Sequence, residues 1–244
     1  MTEDCGSDPP RAAAGSPGRN LTYGMLDTLG RGIVTGRWEA TRFPTEAELA
    51  RDHGVSRSVT REAVKMLTAK GLLTARPRTG TAVQPQSSWN LFDPDVLRWL
   101  LERSFSLDLL RQFSELRVAI EPAAAALAAR AHDPAAIARI EAGYQRMVAA
   151  EAGHDDPLDS DIAFHIAVLN ACGNPFYMQF RDVVETALRT SIRFTNGIVG
   201  HMASLPAHEA VLLAIRNRAP DEAQAAMRRI IDDVMALIGP AQSA

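Results

Sequence analysis

The apolar and polar positions between Pro44 and Val83 predict two short helices joined by a tight turn, followed by a β-hairpin. In the second helix Val59, Ala63, Met66 and Leu67 recur at helical spacing and form the face expected to be buried. Arg57, Arg61 and Lys65 lie four residues apart on a different face, with Ser58 and Thr60 nearby. The end signals agree with these periods. Thr45 is placed to cap the first helix, and Glu48, three residues on, completes a capping box. Gly54 suits a left-handed stop, and Ser56 suits the cap of the second helix. Leu72–Ala75 and Thr81–Val83 read as strands around Arg76-Pro77-Arg78-Thr79-Gly80, a bent tip carrying two arginines. A helix, a glycine turn and a helix with one cationic face are what major-groove reading requires. The tip arginines can meet phosphate or enter the minor groove beside it. A single charge run is usually a solvated surface, but here turn, caps and face agree on a winged helix-turn-helix.

Beyond position 92 the pattern changes to helical runs, with no strand-like alternation of any length. Asp93 is expected to cap a helix with Pro94 at its first position, with Leu97, Leu100 and Leu101 on one side and Trp99 close by. Further runs cover 107–131, with a bend expected at Pro122, then 134–152, 157–172, 175–199, 205–218 and 220–238. Gly173-Asn174-Pro175 and Arg218-Ala219-Pro220 punctuate them. The expected fold class is therefore mainly α: an N-terminal winged helix-turn-helix with a small β wing, then a C-terminal all-α bundle of six or seven helices. The expected division is a disordered tail over 1–18, a DNA-binding domain over 19–85, a linker over 86–92 and a helical effector-binding and dimerisation domain over 93–240.

Composition narrows the function classes. The chain has 244 residues, 46% of them hydrophobic, enough for two domains with their own cores. No run of eighteen apolar residues occurs, so no membrane span is expected. The first twenty residues are acidic before they are basic and lack an apolar centre, unlike a secretory signal. Cys5 and Cys172 make no disulfide framework and fit a reducing cytoplasm. The net charge of −3 conceals an asymmetry. Residues 1–90 hold 12 Lys+Arg against 9 Asp+Glu, whereas residues 91–244 hold 14 against 20. A basic front and an acidic back suit a molecule that places one end on a polyanion.

The candidate chemistry lies in the helical half. Asp161 and His165 fall at i and i+4 on one helix face, and His208 follows on a later helix. A carboxylate and imidazoles so placed can chelate a divalent cation or bind a polar ligand; histidines on amphipathic helices also serve as ordinary core or surface residues, and spacing leaves both open. Arg117 is the candidate for gripping a ligand carboxylate with two parallel hydrogen bonds, the alternative being a structural salt bridge with Glu121.

Together these residues resemble known regulators. Pro44, Glu48-Leu49-Ala50, Val55-Ser56-Arg57, Arg61-Glu62-Ala63-Val64, Gly71-Leu72-Leu73 and Gly80 resemble the DNA-binding domain of the GntR family. That resemblance implies contacts to double-stranded operator DNA by Ser56, Arg57, Ser58, Arg61 and Lys65, with Arg76, Arg78 and Gly80 in the wing. Ala47 departs from the arginine or polar residue of many relatives and removes one possible contact. The series R-x-x-x-E-P at Arg117 and Glu121, D-x-x-x-H at 161–165, the histidine at 208 and A-x-x-x-M resembles the effector (FCD) domain of the FadR subfamily. It implies effector binding at Arg117 and Glu121, and a divalent metal (Zn, Mn or Ni) held by Asp161, His165 and His208. The fourth ligand of such members falls at Ile230, which cannot coordinate, so water or the effector would complete the shell.

The segment Ser87–Glu102 further resembles the sugar-acid regulators of that subfamily, although 190–204 does not follow them convincingly; the implied effector is a small carboxylate such as galactonate. The expected function is a cytoplasmic, homodimeric transcriptional regulator, a repressor relieved by its effector, rather than an enzyme. Two rival readings stand beside it. One is a metal-dependent enzyme acting on a small hydroxy acid through Asp161, His165 and His208, although the chain has no HExxH, nucleophile elbow or phosphate-binding glycine loop. The other is a DNA-binding dimer without an effector.

Overall fold

Local end signals set most of the first unit of the chain. In the computed structural model, which describes residues 17–76, 80–103, 106–198 and 203–241, two compact units meet between Asn90 and Leu91. The first contains α1 (Pro17–Val34), α2 (Glu46–Asp52), α3 (Arg57–Ala69), β1 (Leu73–Arg76) and β2 (Gly80–Val83). The tail expected over residues 1–18 lies outside the described residues up to position 16, and α1 begins at Pro17. Leu26 and Leu29 of α1, Leu49 of α2, Leu67 of α3 and Leu72 are all buried.

The Thr45 hydroxyl accepts from Glu48 N at 3.3 Å, and the Glu48 carboxylate accepts from Thr45 N at 2.7 Å, so the capping box is formed. Arg42 adds a bond to the same carboxylate at 2.9 Å. These bonds, those from Thr45 foremost, hold the Glu48 carboxyl at about 2. Gly54 adopts φ +64, and Val55 N closes the end of α2 on Ala50 O at 3.0 Å. The buried face of α3 is centred differently from the expectation. Thr60, Ala63, Val64 and Leu67 are buried, whereas Val59 and Met66 are half-buried. Thr60 can go inside because its hydroxyl donates to Ser56 O at 3.3 Å.

The hairpin is antiparallel with Leu73 opposite Val83 and Arg76 opposite Gly80, so both tip-flanking residues belong to the ladder. Gly71, at φ +78, sits where a Cβ would meet Ser88 O at 2.1 Å, a close backbone approach that only glycine permits. The segment after the wing is fastened to this unit. It forms a 3-10 turn over Gln86–Ser88, the Trp89 indole donates to Gln84 O at 2.9 Å, and Asn90 N donates to Lys70 O at 2.9 Å.

The second unit holds eight helices among the described residues: α4 (Pro94–Leu100), α5 (Leu107–Ala131), α6 (Pro134–Glu151), α7 (Pro157–Ala171), α8 (Pro175–Met178), α9 (Arg181–Ile198), α10 (Leu205–Arg216) and α11 (Pro220–Ala241). Asp93 caps α4 by accepting from Asp95 N and Val96 N at 3.0 and 3.3 Å, and Trp99 is fully buried. α5 is one helix from Leu107 to Ala131 with Pro122 inside it. The predicted run 175–199 is divided, with Gln179 and Phe180 between α8 and α9. The break lets Tyr177 and Phe180 both turn onto a cluster with Ile120, Leu169 and Leu188, a tertiary demand that helical periodicity does not carry.

The alanines of α5 allow close helix packing: Ala125, Ala128 and Ala129 share the main core with Ile140, Phe164, Val211, Ile215 and Met227. Gly143 on α6 permits the same closeness to α7, since a Cβ there would lie 2.9 Å from Phe164 Cα. No described helix is long and apolar enough to cross a membrane.

Candidate functional site

The α3 face predicted to read DNA is exposed along its length: Ser56, Arg57, Ser58, Arg61 and Lys65 are all on the surface. Ser56 caps the helix by accepting from Val59 N at 3.3 Å, and its hydroxyl lies 2.9 Å from that of Ser58. Arg61 is 3.6 Å from Glu46 and Lys65 is 3.9 Å from Glu62, loose exposed pairs that leave both cations available to a stronger anion. Gly80 takes φ +85 and opens β2. Arg76 ends β1, but its side chain and all of Arg78 lie outside the described residues, so the wing arginines have no structural account.

The second candidate site is built inside the helical unit from three helices. Asp156 caps α7, accepting from Asp159 N at 2.8 Å, and sets the phase that places Asp161 and His165 on its inner face. α5 brings Arg117 and Glu121, and α10 brings His208. All five are removed from solvent, with relative exposures of 3, 2, 4, 1 and 1% for Arg117, Glu121, Asp161, His165 and His208. They form one connected set. Arg117 Nε donates to Glu121 Oε1 at 2.5 Å and its Nη2 lies 3.4 Å from Oε2. The same Oε2 is 2.5 Å from His165 Nδ1. His208 Nδ1 is 2.8 Å from Ser204 O, at the head of α10.

Burial pushes the Glu121 carboxyl up, but Arg117 and His165 outweigh it and bring it to about 2. Burial likewise opposes ionisation of Asp161, yet His165 and His208 hold its carboxyl below the ordinary carboxylate value. An ionised Glu121 and a backbone carbonyl can only accept, so each Nδ1 carries a proton, and an imidazole with no second proton offers its Nε2 lone pair.

Those two lone pairs face each other. His165 Nε2 and His208 Nε2 are 3.3 Å apart, which demands a proton or a cation between them. Asp161 Oδ1 lies 3.0 Å from His208 Nε2 and 3.7 Å from His165 Nε2, yet it has no hydrogen-bond partner of acceptable geometry among the described residues. Bonds of about 2.0–2.1 Å in a tetrahedron give ligand separations of roughly 3.3–3.4 Å. The three observed separations bracket that value, so the donor set fits a small divalent cation. Among the described residues no other histidine, cysteine or carboxylate joins these three.

The cluster opens into a cavity of about 390 Å³ lined also by Leu188, Ser191, Ala207, Ile230 and Asp233. Ile230 stands on the wall as half-buried hydrocarbon. Sequence reasoning missed three features. Glu121 bridges the arginine and a histidine, Ser204 fixes the other histidine through its carbonyl, and Asp233 puts a second carboxylate on the wall. Glu121 was legible as the partner of Arg117 but not of His165, and Asp233 lies one turn after Ile230 on α11.

Comparison with known proteins places both units. The pattern of bacterial regulatory proteins of the gntR family matches residues 26–83, and that of the FCD domain matches residues 112–233. The galactonate operon transcriptional repressor of Escherichia coli K12 is 33% identical over 217 residues, covering 87% of this chain and 94% of its own. The chain belongs to the GntR family. A second E. coli relative, the HTH-type regulator YieP, is 33% identical over 200 residues, 81% of this chain and 86% of that one.

Among solved structures, Lar, which controls expression of the Listeria monocytogenes agr system, superposes with a TM-score of 0.53 at 18% identity, over 93% of this chain and 98% of its own. E. coli McbR/YncC does so at 0.51 and 15%, over 91% and 98%; at these identities the two show the fold. By its family matches and its curated relatives, this GntR-family chain is a DNA-binding transcriptional regulator of the FadR type with an FCD domain, not an enzyme. Helix α3 and the buried His/Asp centre fall within the two matched regions.

Proposed function

We propose that this regulator is a cytoplasmic homodimeric repressor whose hold on its operator is loosened by a small carboxylate bound in the cavity of the helical unit. The observation that carries the reading is the buried set of Arg117, Asp161, His165 and His208 opening into about 390 Å³ of space, a volume suited to a small acid. Asp161, His165 and His208 would hold a divalent cation, which when bound attracts carboxylate and hydroxyl oxygens as a Lewis acid.

Arg117 orients the acid. Its Nε and one hydrogen of Nη2 are engaged by Glu121, so the Nη1/Nη2 edge is the one left for a carboxylate. Glu121 and Ser204 keep both imidazoles turned with Nε2 inward. In the front unit Arg57, Arg61 and Lys65 supply base and phosphate contacts, helped by Ser56 and Ser58, with the wing of Arg76, Arg78 and Gly80 on the adjacent backbone. A two-fold dimer would place two such faces on the halves of a palindrome. An acid with higher affinity for one arrangement of the dimer would shift operator affinity.

The E. coli relative at 33% identity is named for the galactonate operon, and a sugar acid such as D-galactonate is the first effector to test. A thermal-shift screen of aldonic, uronic and hydroxy acids, run on metal-loaded and on chelated protein, tests the reading. A rise in melting temperature confined to a few hydroxylated acids is expected. A flat response across the panel would leave a DNA-binding dimer without an effector.

A further inference from the structure

We infer that the segment after the wing, residues 84–90, sets the angle of the wing against α3, and that the Trp89 indole and the Asn90 main-chain N–H are the groups that hold it. Both lie outside the face proposed to read DNA. The inference rests on the wing contacts proposed above and adds positioning residues to them.

The wing is held unequally. Leu72 and Leu73 are buried and root its first strand. In β2 no residue is buried, and exposed and half-buried positions alternate from Gly80 to Val83. A hairpin of two four-residue strands is marginal by itself, so the second strand needs an anchor beyond the ladder. Gly71 turns the chain from α3 into the hairpin with φ +78 and supplies no side chain to stiffen the bend.

A closed ring of bonds provides the anchor. Gln84 N donates to Leu72 O at 2.9 Å, one step past the β1–β2 ladder. The chain then turns over Gln86–Ser88 and comes back. There the Trp89 indole donates to Gln84 O at 2.9 Å, and Asn90 N donates to Lys70 O at 2.9 Å. Lys70 is the C-cap of α3, so the last bond satisfies a carbonyl that the helix end leaves open. Ser88 O fills the space beside the bend, 2.1 Å from where a Gly71 Cβ would stand. The exit of the wing is thereby tied to the end of α3. Contacts made at once by a helix in the groove and a wing on the backbone need that fixed angle.

Anisotropy titrations of the full chain, on a fluorescent duplex selected from a random-sequence pool by the parent protein, test this over a range of salt. Asn90→Pro deletes the N–H, and Trp89, at φ −73 and ψ 142, already has the backbone that a following proline allows. Asn90→Ala keeps the N–H, and Trp89→Phe keeps a ring while losing the indole donor. Asn90→Pro and Trp89→Phe are each expected to weaken binding about three- to tenfold, the worth of one hydrogen bond, because binding must restore the angle that the bond held. Their salt dependence should become shallower, by up to about one phosphate contact for each of Arg76 and Arg78. Asn90→Ala should bind as the parent does; a loss equal to that of Asn90→Pro would overturn the role given to the N–H. Parent-like affinity in both Asn90→Pro and Trp89→Phe would overturn the inference. So would a lower urea midpoint with an unchanged salt slope, which marks a merely structural segment. An equal loss in an Arg76→Ala/Arg78→Ala background, where no wing arginine is left to position, would do the same. If Arg76→Ala/Arg78→Ala itself binds as the parent does, the wing reading falls and the positioning falls with it.

Discussion

Arg117 and Glu121 stand four residues apart on α5, and from spacing alone the arginine could have been a ligand anchor or half of a salt bridge. The pair is formed and buried, at 3% and 2% exposure, so neither charge can be left alone whatever else Arg117 binds. Arg117→Ala is therefore expected to destabilise the metal-free protein by about 3–5 kcal/mol, the range for breaking a buried ion pair, read as a lower urea midpoint. The Glu121 carboxyl sits at about 2, below its ordinary 4.5. Its contribution is thus fully present above pH 4.5 and is lost as pH falls towards 2. Glu121→Gln should flatten the stability–pH curve of stripped protein across that window, and a curve of unchanged slope would contradict the assignment. What sequence could not supply here is the third dimension. Arg117, Asp161, His165 and His208 were legible as motifs, but Glu121 meeting a histidine 44 positions away was not.

At the scale of elements, local chemistry was the legible part. Thr45, Ser56 and Asp93 cap the helices they were expected to cap, because capping is decided within a few residues. Thr60 inside α3 and the break between α8 and α9 were not legible, because packing against distant residues decides both. On α3, Arg61→Ala is expected to weaken operator binding by about 1–3 kcal/mol, roughly five- to 150-fold. Folding stability should stay within about 0.5 kcal/mol, since the Arg61–Glu46 pair is exposed and 3.6 Å long. A fluorescence-anisotropy titration beside a urea melt separates the two effects. On α6, Gly143→Ala would gain about 0.5–1 kcal/mol of helix propensity. The added Cβ, 2.9 Å from Phe164 Cα, meets backbone that cannot step aside, and overpacking of about 1–3 kcal/mol should make the variant less stable. A variant more stable than the parent would show that α6 and α7 can separate freely.

For the whole molecule, the charge division was visible from the start: 12 Lys+Arg against 9 Asp+Glu in the first ninety residues, and 14 against 20 in the remainder. It corresponds to two units, one with Arg57, Arg61 and Lys65 exposed on a helix face, which the proposal sets against a polyanion, and one enclosing a polar centre in an acidic helical shell. The claim that joins them is that filling the cavity changes the grip on DNA. Anisotropy of a fluorescent duplex carrying the protein's operator, titrated with the full chain at fixed salt, measures this directly. The account predicts that D-galactonate with Mn²⁺ lowers operator affinity at least about fivefold, the low end of allosteric coupling, and that the same acid in excess chelator does not. Tight, sequence-selective binding that no acid alters, with or without metal, would contradict it.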